Sequence, residues 1–254
     1  ADKFTDLTSH NAGGLISPGG SMDNTPEVKK ILDQIGIDAY KFYAGIAKKQ
    51  NADFKRGAKI VPVYCYKLED SDLEDYVGKV MQPAKKVIMD FGNGTTRDMF
   101  VYDDGIFVST GDMMLDLNAY LKKHHVNFKT QKINNFSEIK SKYIINCTGL
   151  AAAQLNNDPD LIPTQGHMIM LKDQKPEDLQ YMVDIYLGAF KNARGQDLKR
   201  SFYIFPKHLP DTKAADVGVI GGTFIYGATD ATPNQEEFAM VLQNAKDFYG
   251  IINR

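Results

Sequence analysis

Residues 142–155 read Lys-Tyr-Ile-Ile-Asn-Cys-Thr-Gly-Leu-Ala-Ala-Ala-Gln-Leu, and no other stretch constrains the fold as strongly. A short apolar run with β-branched residues favours a buried strand, Gly149 permits a tight exit, and the alanines favour the start of a helix. Such a junction aims unpaired backbone N–H groups and the positive end of a helix outward, which suits an anionic or carbonyl-rich ligand. Strand–turn–helix junctions also serve as plain connections, so the stretch by itself leaves both readings open. Its setting adds a loop, Asn157-Asp158-Pro159-Asp160-Leu161-Ile162-Pro163, and then Thr164-Gln165-Gly166-His167-Met168-Ile169-Met170-Leu171, a second strand opened by glycine.

Mixed helix and strand patterns continue on both sides. Residues 26–49 place Val28, Ile31, Leu32 and Ile35, then Tyr40, Phe42, Tyr43 and Ile46, at helical spacing, as one helix or two. Their aromatics read as core rather than as a ligand site. A strand is predicted over 59–67, with Cys65 as inert core, and another over 85–91 before the turn Gly92-Asn93-Gly94. The acidic run at 69–77 reads as a solvated face. Residues 100–108 predict a hairpin, because Asp104-Gly105 between apolar runs supplies positive φ. A helix over 112–123 ends on His124 and His125, which point apart and act as a favourable C-terminal pair rather than as metal ligands. A strand is predicted from 126 to 128. The polar region from 172 to 200 reads as an excursion or lid, or as a plain surface loop. Paired strands at 202–206 and 217–224 follow, and Phe238, Val241, Leu242, Ala245, Phe248 and Tyr249 mark a closing amphipathic helix.

A chain of 254 residues suffices for one large domain or two ordinary ones, and 43% hydrophobic with 24% charged residues is the balance of a globular protein. No apolar run approaches the roughly 18 residues that span a bilayer. The net charge of −2 gives no overall footprint for nucleic acid. The two cysteines, Cys65 and Cys147, lie far apart with no companion at metal-ligand spacing, so no metal site is expected. Without a signal peptide, this cysteine usage predicts a reduced, cytoplasmic setting. The start at Ala1 rather than Met predicts a processed or truncated beginning.

Three motif stretches together resemble the D-amino-acid oxidase family of FAD-dependent oxidoreductases. They are Asn146-Cys147-Thr148-Gly149 running through the loop to Gly166-His167-Met168-Ile169, and the opening Asp2-Lys3, Thr8-Ser9-His10 and Ala12-Gly13-Gly14-Leu15. The third is Tyr203-Ile204-Phe205-Pro206 followed by Gly221-Gly222-Thr223-Phe224. The resemblance implies an FAD site in which Asp2 and Lys3 meet the adenosine ribose, and Thr8, Ser9 and His10 the pyrophosphate. It further places Gly13, Gly14 and Leu15 under the flavin, Ile133 against the adenine, and Thr148 and Gly149 within the same site. Tyr203 would hold the carboxylate of an amino-acid substrate. The chain departs from the family in two places. One residue fewer separates the Thr-Ser cluster from Ala12, which leaves the roles of Ser9 and His10 open. Lys199 also stands where well-known relatives carry a second tyrosine, so the lid geometry and substrate preference need not carry over.

The fold so implied is α/β (α+β), an incomplete FAD-binding Rossmann-like domain from residues 1–20, 124–170 and 233–254 plus an antiparallel-sheet substrate domain from 55–110 and 170–230. The implied activity is oxidative deamination of an amino acid by hydride transfer to flavin, for which binding and orientation matter more than an acid–base pair. The resemblance spans nearly the whole chain but only the middle of the family's length. No G-x-G-x-x-G fingerprint occurs here. The family carries it just before the position matching Ala1, and beyond Arg254 it carries an arginine for the substrate carboxylate and a glycine-rich turn against the flavin. The chain alone is therefore expected to bind FAD weakly or not at all and to be inactive. The alternative is a non-catalytic or partner-completed subunit on the same fold, as a homodimer or with a complementing chain; an unrelated α/β protein is a third reading.

Overall fold

The computed structural model describes residues 7–18, 25–191, 197–208, 216–229 and 232–251, with the side chains of 190, 191 and 197–199 outside the description. In chain order the elements are α1 (Thr8–Asn11), α2 (Pro26–Ala47), β1 (Ala58–Ile60), β2 (Val63–Cys65), β3 (Lys85–Asp90), β4 (Thr96–Tyr102) and β5 (Ile106–Val108). There follow α3 (Thr110–Lys123), α4 (Ala152–Asn156), β6 (Thr164–Gln165), β7 (Met168–Met170), β8 (Met182–Lys191), β9 (Asp197–His208), β10 (Val217–Tyr226) and α5 (Gln235–Tyr249).

Among the described residues, eight strands form one mixed, mostly antiparallel sheet in the order β3-β4-β2-β8-β9-β10-β6, with β7 also paired to β10. The parallel pairing of β2 with β8 joins two separate runs of chain, Val63 opposite Met182 and Tyr64 opposite Val183. Beside it, β1 and β5 make a two-stranded antiparallel ribbon. The pleat of β9 sends Phe202 and Ile204 to one face, where they pack with Val183, Ile185, Val241, Ala245 and Phe248. The other face carries Tyr203 and Phe205 into a second cluster with Tyr40, Phe107 and Met182. Helix α5 packs on the face of the sheet that carries Phe202, against β10, β7 and β9.

Several expectations hold. Residues 26–47 form one helix capped by the Thr25 side chain with Pro26 at its start; Tyr40 and Tyr43 serve the core, Tyr40 donating its hydroxyl to the Asp104 carbonyl at 2.6 Å, while Phe42 is exposed. The strands at 202–206 and 217–224 pair as foreseen, Tyr203 opposite Gly221. A register shift between Val217 and Val219 accommodates Pro206, which has no N–H to give the ladder.

Others are corrected. Residues 142–147 are not a buried strand: they run without strand pairing, and Tyr143 and Ile145 are 76% and 87% exposed. An apolar run becomes a strand only when a neighbouring strand takes its N–H and C=O groups, and among the described residues none lies alongside. The same holds for 126–128. Residues 100–108 turn at Asp103 and Asp104, but β5 leaves β4 and pairs with β1 instead. Gly105 serves close packing there, since a Cβ would fall 2.2 Å from Val63 Cγ2. The region read as irregular up to Arg200 holds β8 and the start of β9, because the alternation through Val183 and Ile185 buries one face of β8.

Candidate functional site

The residues singled out by sequence fall into two groups. The first surrounds the face of β9 that carries Tyr203. The phenol stacks on Phe205, ring centroids 4.6 Å apart and nearly parallel at 7°. It also lies across Gly221 of β10, where an added Cβ would come within 2.3 Å of the hydroxyl oxygen. Burial, with the Asp184 carboxylate opposite on β8 as second cause, raises the Tyr203 pKa to about 12. The group is therefore a protonated donor at any physiological pH.

Phe205 touches the glycine loop in turn, a Cβ at Gly13 falling 2.8 Å from its ring. Gly14 holds φ at +114°, and a Cβ there would fall 2.3 Å from the Val108 carbonyl oxygen, so only glycine fits. Its own carbonyl accepts from Val108 N–H at 2.7 Å, Leu15 bridges to Phe107, and Ile16 N–H donates to the Ile106 carbonyl at 3.0 Å. The loop thus runs as an extra strand along β5 and presents main chain on the face that Tyr203 shares. Lys207, two residues beyond Phe205, is buried and donates to the Ala12 carbonyl at 2.6 Å and to Thr110 Oγ1 at 2.7 Å. Burial pushes its pKa down to about 8.

Thr8 and Ser9 are exposed on the single turn of α1, whereas His10 is turned inward and only 3% exposed, so it does not share their outward position. Asp2 and Lys3 lie outside the described residues, as does the side chain of Lys199.

The second group lies in residues 124–163. Thr148 and Gly149 form the expected tight turn: Asn146 Oδ1 accepts from Thr148 N–H at 3.2 Å and from its hydroxyl at 2.7 Å, and Gly149 has φ +59° before a helical turn runs into α4. Both residues are exposed, and Ile133 sits half-buried in irregular chain. Among the described residues, no hydrogen bond joins this turn to the Tyr203 face.

A cavity of about 490 Å³ also opens on the sheet, lined by Asp184, Tyr186, Ser201, Phe224 and Tyr226 with Glu69, Asp70 and Asp72 at its edge. Its wall is anionic and attracts cations. Asp184, which pairs directly with Tyr203 across the strands, links this cavity to the phenol. Among the described residues no cluster of His, Cys, Asp or Glu could hold a metal ion, and no helix is long and apolar enough to cross a membrane.

Sequence reading missed Gly221 as the seat of the tyrosine, and Lys207 as a buried cation. The Gly-Gly pair opposite an aromatic strand was the available signal for the first. It also missed His167 as a structural group: its Nε2 accepts from Asn234 N–H at 3.3 Å, so Nδ1 carries the proton and faces Thr223 Oγ1 at 3.3 Å. Burial lowers its pKa, against an opposing pull from Glu237.

The fold is shared with solved structures of two enzymes. It matches glycine oxidase from Geobacillus kaustophilus with a TM-score of 0.62 at 15% identity, over 95% of this chain and 68% of that one. It matches L-proline dehydrogenase from P. horikoshii with a TM-score of 0.52 at 13% identity, over 94% of this chain and 66% of that one. The chain thus spans about two thirds of each. The model of the FAD dependent oxidoreductase family (DAO) matches residues 1–253, and the chain belongs to that family.

Proposed function

We propose that the complete protein is an FAD-dependent enzyme that oxidatively deaminates an amino acid, with Tyr203 holding the substrate carboxylate. One observation carries this reading: a half-buried, protonated phenol stacks on Phe205, which packs in turn against Gly13 of the glycine-bearing loop. On this reading Gly13 and Gly14 would bring backbone close to the flavin, while the sides where their Cβ atoms would stand are packed on Phe205 and Phe107. Leu15 would lie with them under the ring, while Thr8, Ser9, Thr148 and Gly149 would reach the phosphates, Ile133 the adenine, and Asp2 and Lys3 the ribose. When bound, FAD accepts the hydride that leaves the substrate Cα. The chain's own part is to orient: Tyr203 would donate to a carboxylate oxygen of the substrate. The cofactor part would comprise 1–20, 124–170 and 233–254, and the substrate part 55–110 and 170–230.

The 254-residue chain by itself is proposed to bind FAD weakly. A pyrophosphate needs several converging N–H groups, the G-x-G-x-x-G loop that supplies them is not in this sequence, and a few hydrogen bonds worth roughly 1 kcal/mol each do not offset the ordering of a dinucleotide. Calorimetric titration of FAD into this chain checks it; a micromolar or tighter Kd overturns it. For the complete native gene product, purification with FAD tests the enzyme reading, which a colourless protein without flavin absorption would sink.

A second reading, in which another chain completes this one, is favoured by the exposed apolar run Tyr143, Ile144 and Ile145. Sedimentation of the complete protein separates the two, since a lone monomer with full oxidase turnover leaves nothing for a partner to complete.

A further inference from the structure

We propose that Lys207 is the positioning residue that fixes the flavin-facing loop 12–15 relative to Tyr203, by holding the Ala12 carbonyl with its ammonium group. The inference rests on the reading that this loop meets the flavin, but its mechanical part does not.

Three residues stand in a row on one face of β9. Tyr203 stacks on Phe205, Phe205 packs on Gly13, and Lys207 donates to the carbonyl of Ala12, the residue just before that glycine. One strand therefore carries the substrate contact and grips the loop. The far end of the loop is already tied to β5 through Gly14, Leu15 and Ile16. Lys207 closes the near end, and Thr110 Oγ1, its other acceptor at 2.7 Å, donates to the His10 carbonyl at 3.5 Å, so two carbonyls leading into the glycines are bound to one network.

Packing alone gives no reason for a lysine here. The side chain is only 1% exposed, among the described residues it forms no ion pair, and it approaches the first residue of α3, where the helix dipole disfavours a cation. Methionine would fill the same volume without burying a charge. What methionine lacks is donors, and the donors go to Ala12 and Thr110.

The experiment uses the complete protein with Lys207→Met and Lys207→Arg. Amide exchange of the peptide spanning residues 12–16 is read by mass spectrometry without FAD, and FAD affinity by quenching of flavin fluorescence. Lys207→Met is expected to keep the melting temperature within a few degrees, to speed exchange in this peptide at least tenfold while β3 and β4 stay unchanged, and to weaken FAD binding at least tenfold. Lys207→Arg, which keeps charge and donors, should recover most of both. Exchange or affinity that stays within twofold of the parent in Lys207→Met overturns the proposal, as does exchange that rises equally across the whole sheet. If the parent protein binds no FAD, the functional reading falls, and the exchange comparison alone decides whether Lys207 holds the loop. If Lys207→Met does not fold, Thr110→Val decides it by the same exchange criterion.

Discussion

At the scale of single residues, the position of the Tyr203 hydroxyl is set by an absence, the missing Cβ of Gly221. If Tyr203 holds a substrate carboxylate as proposed, Tyr203→Phe would remove one hydrogen bond to a charged group, worth about 1.5–3 kcal/mol. Steady-state kinetics of the complete enzyme should therefore show KM raised roughly ten- to a hundredfold with a much smaller change in kcat. Gly221→Ala should move KM in the same direction by displacing the phenol, and should lower stability by about 1–3 kcal/mol through overpacking. Added to Tyr203→Phe, it should raise KM little further, because the atom it displaces is already gone. His167 makes a prediction in pH. Burial holds its folded pKa below the ordinary 6.5, so the unfolded chain takes up a proton that the folded one refuses. The stability this group contributes is full above pH 6.5 and is lost as pH falls through the folded value. Thermal melts between pH 7.5 and about 4.5 should show a steeper decline for the parent than for His167→Gln, which has no ring to charge.

At the scale of elements, α5 is held to the sheet by more than its apolar stripe. Arg200 of β9 meets Glu237 of α5 through two parallel contacts of 3.1 Å each, both side chains nearly buried. Removing one partner strands the other charge in the interior, so Glu237→Ala should destabilise the protein by about 3–5 kcal/mol in denaturant titration. Replacing both with apolar residues of similar size should cost much less. The helices themselves were legible in the sequence, α2 and α5 from their 3.6-residue stripes and α3 nearly to its ends, because periodicity is a local property. The ion pair was not, since nothing local links positions 200 and 237. The misreadings have the same origin. Residues 142–147 carry strand propensity, but a strand is a relation between two segments, and the second is not among those described. The reading of 100–108 as a hairpin failed for a related reason: the turn is there, but Ile106 finds its partner in Ile60 rather than in β4.

At the scale of the whole molecule, the candidate site was legible where motif residues sit on one continuous strand, as Tyr203 and Phe205 do, and where a glycine loop packs against it. It was not legible across the chain: Thr148 and Gly149 form their turn locally, yet contacts that would join them to Tyr203 do not follow from either stretch. The sheet itself has a seam, the parallel contact of Val63 with Met182 between two antiparallel parts. That seam sets an order in time. On the ribosome β2, β3 and β4 emerge and pair early, but the open edge of β2 must wait until β8 has been made, and parallel, non-local pairing is slow to form. In pulse-labelled refolding, amides of β3 and β4 should gain protection before those of β8. During that interval Val63 and Cys65, fully interior in the finished protein, are an unpaired apolar edge. Synthesis of this chain is thus most open to aggregation, and to rescue by chaperones, between the emergence of its second strand and of its eighth.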